Sequence, residues 1–314
     1  MNKSQIAVIA AIIIVALAGL IYIIAAPNET AKFEGKIGAT IFPLYDIAKN
    51  VAGDKIEVVL VAPAGASPHT FEPSPADIKN LSGSRVIFSI GEGLDNWTQA
   101  IAAALLGTAV KPVSEGIVLI MTEEDEEEEE ENGHHEEAEE GHEHHHGDTN
   151  PHYWLSVPNA KIIAENITAE IILLDPENEA YYRENLSEYN TRLDDADSAV
   201  RLMLRNIPNK NIITMHDAWP YFAQEYGLEV VGTFEPFPGR EPSAKYLADL
   251  AQTAERYDVK TIFSEPQLAN QILFPFLQDY GLKLEILDPL GGIENRSSYI
   301  ETMLYNARAI NESF

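Results

Sequence analysis

Hydrophobic residues fall along this chain in two alternating rhythms. Short runs rich in Val, Ile and Phe at 36–42, 56–61, 86–90, 211–215, 228–233, 259–264 and 283–287 carry the signature of strands. Between and after them the apolar spacing lengthens to the helical period, at 44–52, 218–226, 242–257, 272–280 and 299–310. Alternation of this kind predicts βαβ units and largely parallel sheets. The longest helical stretch covers 176–206: Asp175 is placed to cap it, Pro176 suits its first turn, Glu177 and Glu179 complement the positive end of its dipole, and Pro208 lies beyond its end. A helix of about 30 residues is a rod of roughly 45 Å. The halves on either side share an architecture without repeating a sequence. The expected fold is therefore α/β: a lobe over 34–175, one long rigid linking helix over 176–206, and a second lobe over 207–314.

Two segments depart from this rhythm. Residues 6–26 form an uninterrupted run of apolar residues and Gly, close to the roughly 20 residues that span a bilayer core. Lys3 is the one charge before the run, which favours an inside N-terminus and an exported remainder. A cleaved signal peptide competes, but its apolar region is usually shorter, roughly 7–15 residues, and Ile24-Ala25-Ala26 fits its small-x-small site poorly. Residues 1–26 are thus expected to be a membrane anchor, with everything from Pro27 onward on the extracytoplasmic face under either reading. The second departure, 123–148, holds fifteen acidic residues, six His and no Lys or Arg. It cannot bury apolar surface and is expected to be a disordered loop.

Composition narrows the chemistry. At 314 residues the chain exceeds one small core, in keeping with two lobes. Its formal charge is −29, and −14 remains once the fifteen acidic residues of 123–148 are set aside. A field of that sign disfavours nucleic acid and attracts cations. The absence of Cys excludes disulfides, thiolate metal sites, cysteine nucleophiles and a lipid-modified Cys anchor.

Six of the nine His residues lie in the acidic segment, leaving His69, His152 and His216 in the folded body. Each sits near a strand or loop end, where the crevice of an open α/β sheet forms. Each also has a plainer reading when taken alone. His69, stiffened by Pro68, could be a solvated loop residue. His152, between Pro151 and Tyr153-Trp154, is held by a rigid turn beside an apolar wall. His216 could be satisfied by Asp217, which could instead cap the following helix or orient the imidazole. Asp288, at a strand end, could cap a turn, and Glu265 occupies a similar position. Together, three imidazoles and the Asp288 carboxylate, two ligands from each half, would make a four-coordinate site between lobes suited to Zn2+.

The strings SPHTFEPSP, NPHYWLSVPNA, MHDAWPYFAQEYGL, FSEPQ and LDPLGG, in that order, resemble the successive motifs of the zinc/manganese solute-binding family of ABC transporters, cluster A-I, with a His-rich acidic insertion in the gap where zinc-type members carry one. The resemblance covers Gly35–Phe314. It implies two lobes joined by one helix and the ligand set His69, His152, His216 and Asp288. Manganese-type members carry Glu where His216 stands, so the resemblance implies Zn2+, with Mn2+ as the second candidate. It also implies an ABC transporter permease subunit as partner, a monomeric binding protein, and no enzyme activity. Ser67 and Asn150 stand where the first and second motifs usually begin with an acidic residue, so the groups around the ligands are less negative than in the family.

Other functions make different demands. A zinc hydrolase needs an open coordination position and a general base, for which Glu265 or Glu72 would have to serve, and there is no HExxH motif. A surface metal-buffering or adhesin-like protein on the same fold would share every feature above. The acidic segment reads as a weak zinc collector or as a solvated insertion.

Overall fold

The structure, a computed structural model, describes residues 35–122, 149–235 and 242–314. The expected anchor at 6–26 and the acidic His-rich segment at 123–148 lie outside the described residues. Among the described residues no helix is long and apolar enough to cross a membrane.

Among the described residues, eight strands form two four-stranded parallel sheets of the same order. β1 (Lys36–Ala39), β2 (Glu57–Leu60), β3 (Val86–Ser89) and β4 (Ala109–Pro112) assemble as β2-β1-β3-β4. β5 (Asn211–Thr214), β6 (Glu229–Thr233), β7 (Thr261–Ser264) and β8 (Lys283–Ile286) assemble as β6-β5-β7-β8. The central strands β3 and β7 are buried along their whole length, and both carry an apolar Ile-Phe pair at their centre and end on a small hydroxyl residue, Ser. The edge strand β4 is largely exposed, carries Lys111 and Pro112, and is absent from the hydropathy pattern for that reason.

Helices α1 (Phe42–Ala52), α2 (Pro75–Asn80) and α3 (Thr98–Ala104) accompany the first sheet. Helices α6 (Pro220–Tyr226), α7 (Ala244–Arg256), α8 (Phe274–Tyr280) and α9 (Tyr299–Glu312) accompany the second. Between the two sheets along the chain come two helices, α4 (Val157–Leu174) and α5 (Glu179–Leu204). α4 is not among the elements the hydropathy pattern predicts. Its signals were local: Ser156 accepts a hydrogen bond from the Asn159 amide at 3.4 Å as N-cap, and Pro158 sits in the first turn.

α5 is the expected long helix, but it starts later than predicted. Pro176–Asn178 form a 3-10 turn, and Asp175 does not cap the helix. Its carboxylate instead accepts hydrogen bonds from Asn178 Nδ2 at 2.8 Å and Tyr182 Oη at 2.6 Å. At 1.5 Å per residue, 26 helical residues span about 39 Å. Its buried stripe, Tyr182, Tyr189, Leu193, Ala196, Val200 and Leu204, recurs every three or four residues with one seven-residue step and packs on α4, α1 and α9.

The two halves also meet away from α5. Trp154 Nε1 donates to the Pro289 carbonyl and Tyr299 Oη to the Trp154 carbonyl, each at 2.7 Å. The Tyr299 amide donates to Asp46 on α1 at 3.0 Å. Gly292 has φ +80°, and a Cβ there would lie 2.7 Å from the Phe42 ring and 2.9 Å from Ala64 Cβ. Only glycine combines that backbone with that approach.

Candidate metal centre

The carboxyl ends of the strands face one crevice. His69 lies in the loop after β2, His216 two residues beyond β5, Glu265 one beyond β7 and Asp288 two beyond β8. His152 immediately precedes the short helical turn Tyr153–Leu155 that leads into α4.

Three imidazoles converge. His69 Nε2 lies 3.1 Å from His152 Nε2, and His216 Nε2 lies 3.4 Å from it. Ring centroids are 5.1 to 5.6 Å apart. Two nitrogens held at about 2.05 Å by a tetrahedral zinc would be about 3.3 Å apart, so the observed spacings match that coordination. Among the described residues, these three are the one group of His, Cys, Asp or Glu placed to hold a metal ion. Pro68, Trp154, Leu268, Pro289 and Leu290 line the same pocket and keep it largely apolar.

The groups behind the rings set their charge. His216 Nδ1 is 2.7 Å from Glu265 Oε1, and both side chains are buried. This contact follows from register: Thr214 pairs with Phe263, so the residues two further on, His216 and Glu265, emerge side by side. Burial lowers the His216 pKa, but the charge and hydrogen bond of Glu265, with the charges of Asp217 and Glu235, together outweigh it and raise the imidazole above its ordinary value. Burial, reinforced by His216 and His69, holds His152 well below its ordinary value. Trp219 Nε1 also donates to Glu265 Oε1 at 3.3 Å.

Three nitrogen lone pairs aimed at one point repel one another unless something positive sits between them. A proton shared between two of the rings meets that need. So does a divalent cation, which binds as the proton leaves.

Asp217, expected to cap a helix or orient His216, does neither. α6 begins at Pro220 without a side-chain cap, and the Asp217 carboxylate accepts from Asn150 Nδ2 at 3.0 Å. Glu265 takes the place beside His216. Asn150 Oδ1 accepts from the His152 amide at 3.0 Å and lies 3.0 Å from His152 Nδ1.

The structure does not bring Asp288 into the imidazole cluster. Its Oδ1 accepts from the Leu290 and Gly291 amides at 3.0 and 2.9 Å and from Gln267 Nε2 at 3.1 Å, a turn-capping arrangement. Its Oδ2 is 3.2 Å from Arg296 Nε, a contact without hydrogen-bond alignment. Sequence reasoning did not single out Arg296. The signal available was an Arg eight residues beyond a buried Asp in a Gly-containing turn.

Residues 37–313 match the profile of the family described as zinc-uptake complex component A, periplasmic (ZnuA). The high-affinity zinc uptake system protein ZnuA of Bacillus subtilis is 35% identical over 281 residues, 87% of this chain and 86% of that protein. The manganese ABC transporter substrate-binding lipoprotein PsaA of Streptococcus anginosus is 28% identical over 298 residues, 91% of each chain. A crystal structure of ZnuA superposes with a TM-score of 0.76 at 27% identity, covering 88% of this chain and 98% of that one.

Proposed function

The chain belongs to the ZnuA family of zinc-uptake components, and on that premise we propose that it is the extracytoplasmic solute-binding protein of an ABC importer, capturing Zn2+ and delivering it to a permease subunit. The observation that carries this reading is the convergence of His69, His152 and His216 at nitrogen spacings of 3.1 and 3.4 Å. Three imidazoles suit Zn2+, whereas Mn2+ takes carboxylate and water oxygens more readily.

Zinc is cargo here, so the site must grip it and also let it go. His69 comes from the first lobe, 34–175, and His216 from the second, 207–314, with His152 from the turn that enters α4. The helix within 176–206 fixes the distance between the lobes. Relative movement of the lobes then makes or breaks the coordination, and a proton can take the place of zinc among the imidazoles as it leaves. Asp288 is the fourth ligand of the loaded site. Its buried Oδ2 lacks an aligned hydrogen bond, so it is the oxygen a divalent cation can recruit from Arg296. Residues 1–26 anchor the protein, as a monomer, on the outer face of the cell membrane. The acidic His-rich segment raises the local cation concentration around it. The chain is read as a carrier and not as an enzyme: with four protein ligands bound, no position remains for an activated water.

Metal titration of the purified protein tests this reading. One tightly held zinc per chain, outcompeting manganese and lost in His152→Ala, is the expected result. Equal retention of zinc by His152→Ala would overturn it.

A further inference from the structure

We infer that Asn150 is a positioning residue that fixes the tautomer of His152 and clamps it to the turn carrying His216, so that one side-chain amide sets both the zinc-facing nitrogen of His152 and the approach of the two turns. The inference rests on the reading of the three histidines as zinc ligands, and it adds how the site is made ready for the ion.

The orientation of the Asn150 amide follows from its partners. Oδ1 faces the His152 backbone amide at 3.0 Å, and a backbone N–H can only donate. Nδ2 faces the Asp217 carbonyl at 2.7 Å, and a carbonyl can only accept. A flipped amide would turn both contacts repulsive. With Oδ1 so placed, His152 Nδ1, 3.0 Å away, must carry its proton to be compatible with it. A neutral imidazole protonated at Nδ1 presents its lone pair at Nε2, the atom that points to His69 and His216.

The second half of the amide does separate work. Nδ2 donates to both the Asp217 carbonyl at 2.7 Å and its carboxylate at 3.0 Å, and Asp217 follows His216 directly. The Asn150 backbone cannot pivot, because its N–H donates to the Ile120 carbonyl at 2.7 Å and its carbonyl accepts from Tyr221 Oη at 2.8 Å. One residue therefore ties the turn bearing His152 to the turn bearing His216. The amide is also required chemically. Aspartate could accept from His152, but it would set a carboxylate against the Asp217 carboxylate and carbonyl. Leucine would do neither task.

Exchanging the two side chains tests this. In Asn150→Asp/Asp217→Asn the pair is rebuilt with opposite polarity: the introduced carboxylate accepts from His152, and the introduced amide donates to that carboxylate. Zinc affinity by competition titration is expected to fall on the order of 10- to 100-fold in Asn150→Leu, as for other groups that orient metal ligands. It should fall in Asn150→Asp and recover part of that loss, by about threefold or more, in the exchange variant, where the residue-217 carbonyl still faces the introduced carboxylate. An exchange variant no better than Asn150→Asp would overturn the inference. A second readout needs no substitution at Asn150: 15N resonances of the metal-free protein should report His152 protonated at Nδ1. A proton at Nε2 would equally overturn it. If the parent protein binds no tight zinc, the functional reading fails, while the tautomer measurement still decides the role of Asn150.

Discussion

Replacing His216 with Glu separates the ligand chemistry of the site from its electrostatics. The exchange of a nitrogen for an oxygen ligand should move preference from zinc toward manganese. The structure adds a cost. His216 Nδ1 touches Glu265 Oε1 at 2.7 Å, and both residues are nearly inaccessible, at 6% and 2% exposure. His216→Glu therefore sets a second buried carboxylate beside Glu265. Two like charges about 4 Å apart repel by roughly 4 kcal/mol at an effective dielectric constant near 20. Proton uptake by one carboxyl relieves part of this, leaving a cost of about 2–4 kcal/mol in the metal-free protein. The repulsion needs both carboxyls ionised, so this cost appears as pH rises through about 4.3, the ordinary Glu value, and is absent below it. A divalent cation cancels it at neutral pH. Urea unfolding in chelator should thus show His216→Glu destabilised at pH 7, with manganese restoring the midpoint. His216→Glu/Glu265→Gln should keep the manganese preference without the destabilisation. A metal-free His216→Glu protein as stable as the parent, with an unchanged zinc-to-manganese affinity ratio, would refute the reasoning.

Other consequences are separable from the metal. Burial holds the Asp46 carboxyl above its ordinary value, with the Tyr299 N–H and the cations Arg192 and Lys49 offsetting only part of the cost. The native state then binds more protons than the unfolded chain above about pH 4, so the carboxylate costs stability as pH rises. Asp46→Asn, which can still accept from Tyr299, should unfold at an equal or higher urea midpoint at pH 7, and the advantage should vanish by about pH 3. The Tyr189 hydroxyl is buried without a hydrogen-bond partner among the described residues. Tyr189→Phe should be neutral or up to about 1 kcal/mol more stable by urea unfolding, and a clear loss would reveal a partner for that hydroxyl. Met121 and Thr149 pair as an antiparallel bridge, so excision of 123–148 with a short turn should leave the fold and one tight zinc per chain. Loss of that zinc would make the acidic segment part of the primary site.

How much of this was legible in the sequence depended on what local pattern can encode. Seven of the strands announce themselves through short runs or alternations of Val, Ile, Leu and Phe, while β4 is an exposed edge whose Lys111 and Pro112 carry no such signal. α4 is apolar on several faces, as Ile163, Ile167 and Ile171 are buried and Ile162 and Ile172 flank them, so its period is blurred. The three histidines could be picked out because removal of the acidic tract left no others. Their relationships could not. Asp217 is adjacent to His216 in the chain, yet Glu265, 49 residues away, reaches its ring because β5 and β7 are neighbours in register. The engagement of Asp288 by Arg296 is equally a property of the folded turn. Sequence proximity predicts candidates for a contact, and sheet order decides among them.

The central claim is that one zinc ion is held by the converging imidazoles. Anomalous diffraction at the zinc edge from crystals of the zinc-loaded full-length protein tests it most directly. The expected result is a single strong peak about 2.0–2.1 Å from Nε2 of each of His69, His152 and His216. A strong peak elsewhere, with none between these three rings, would contradict it.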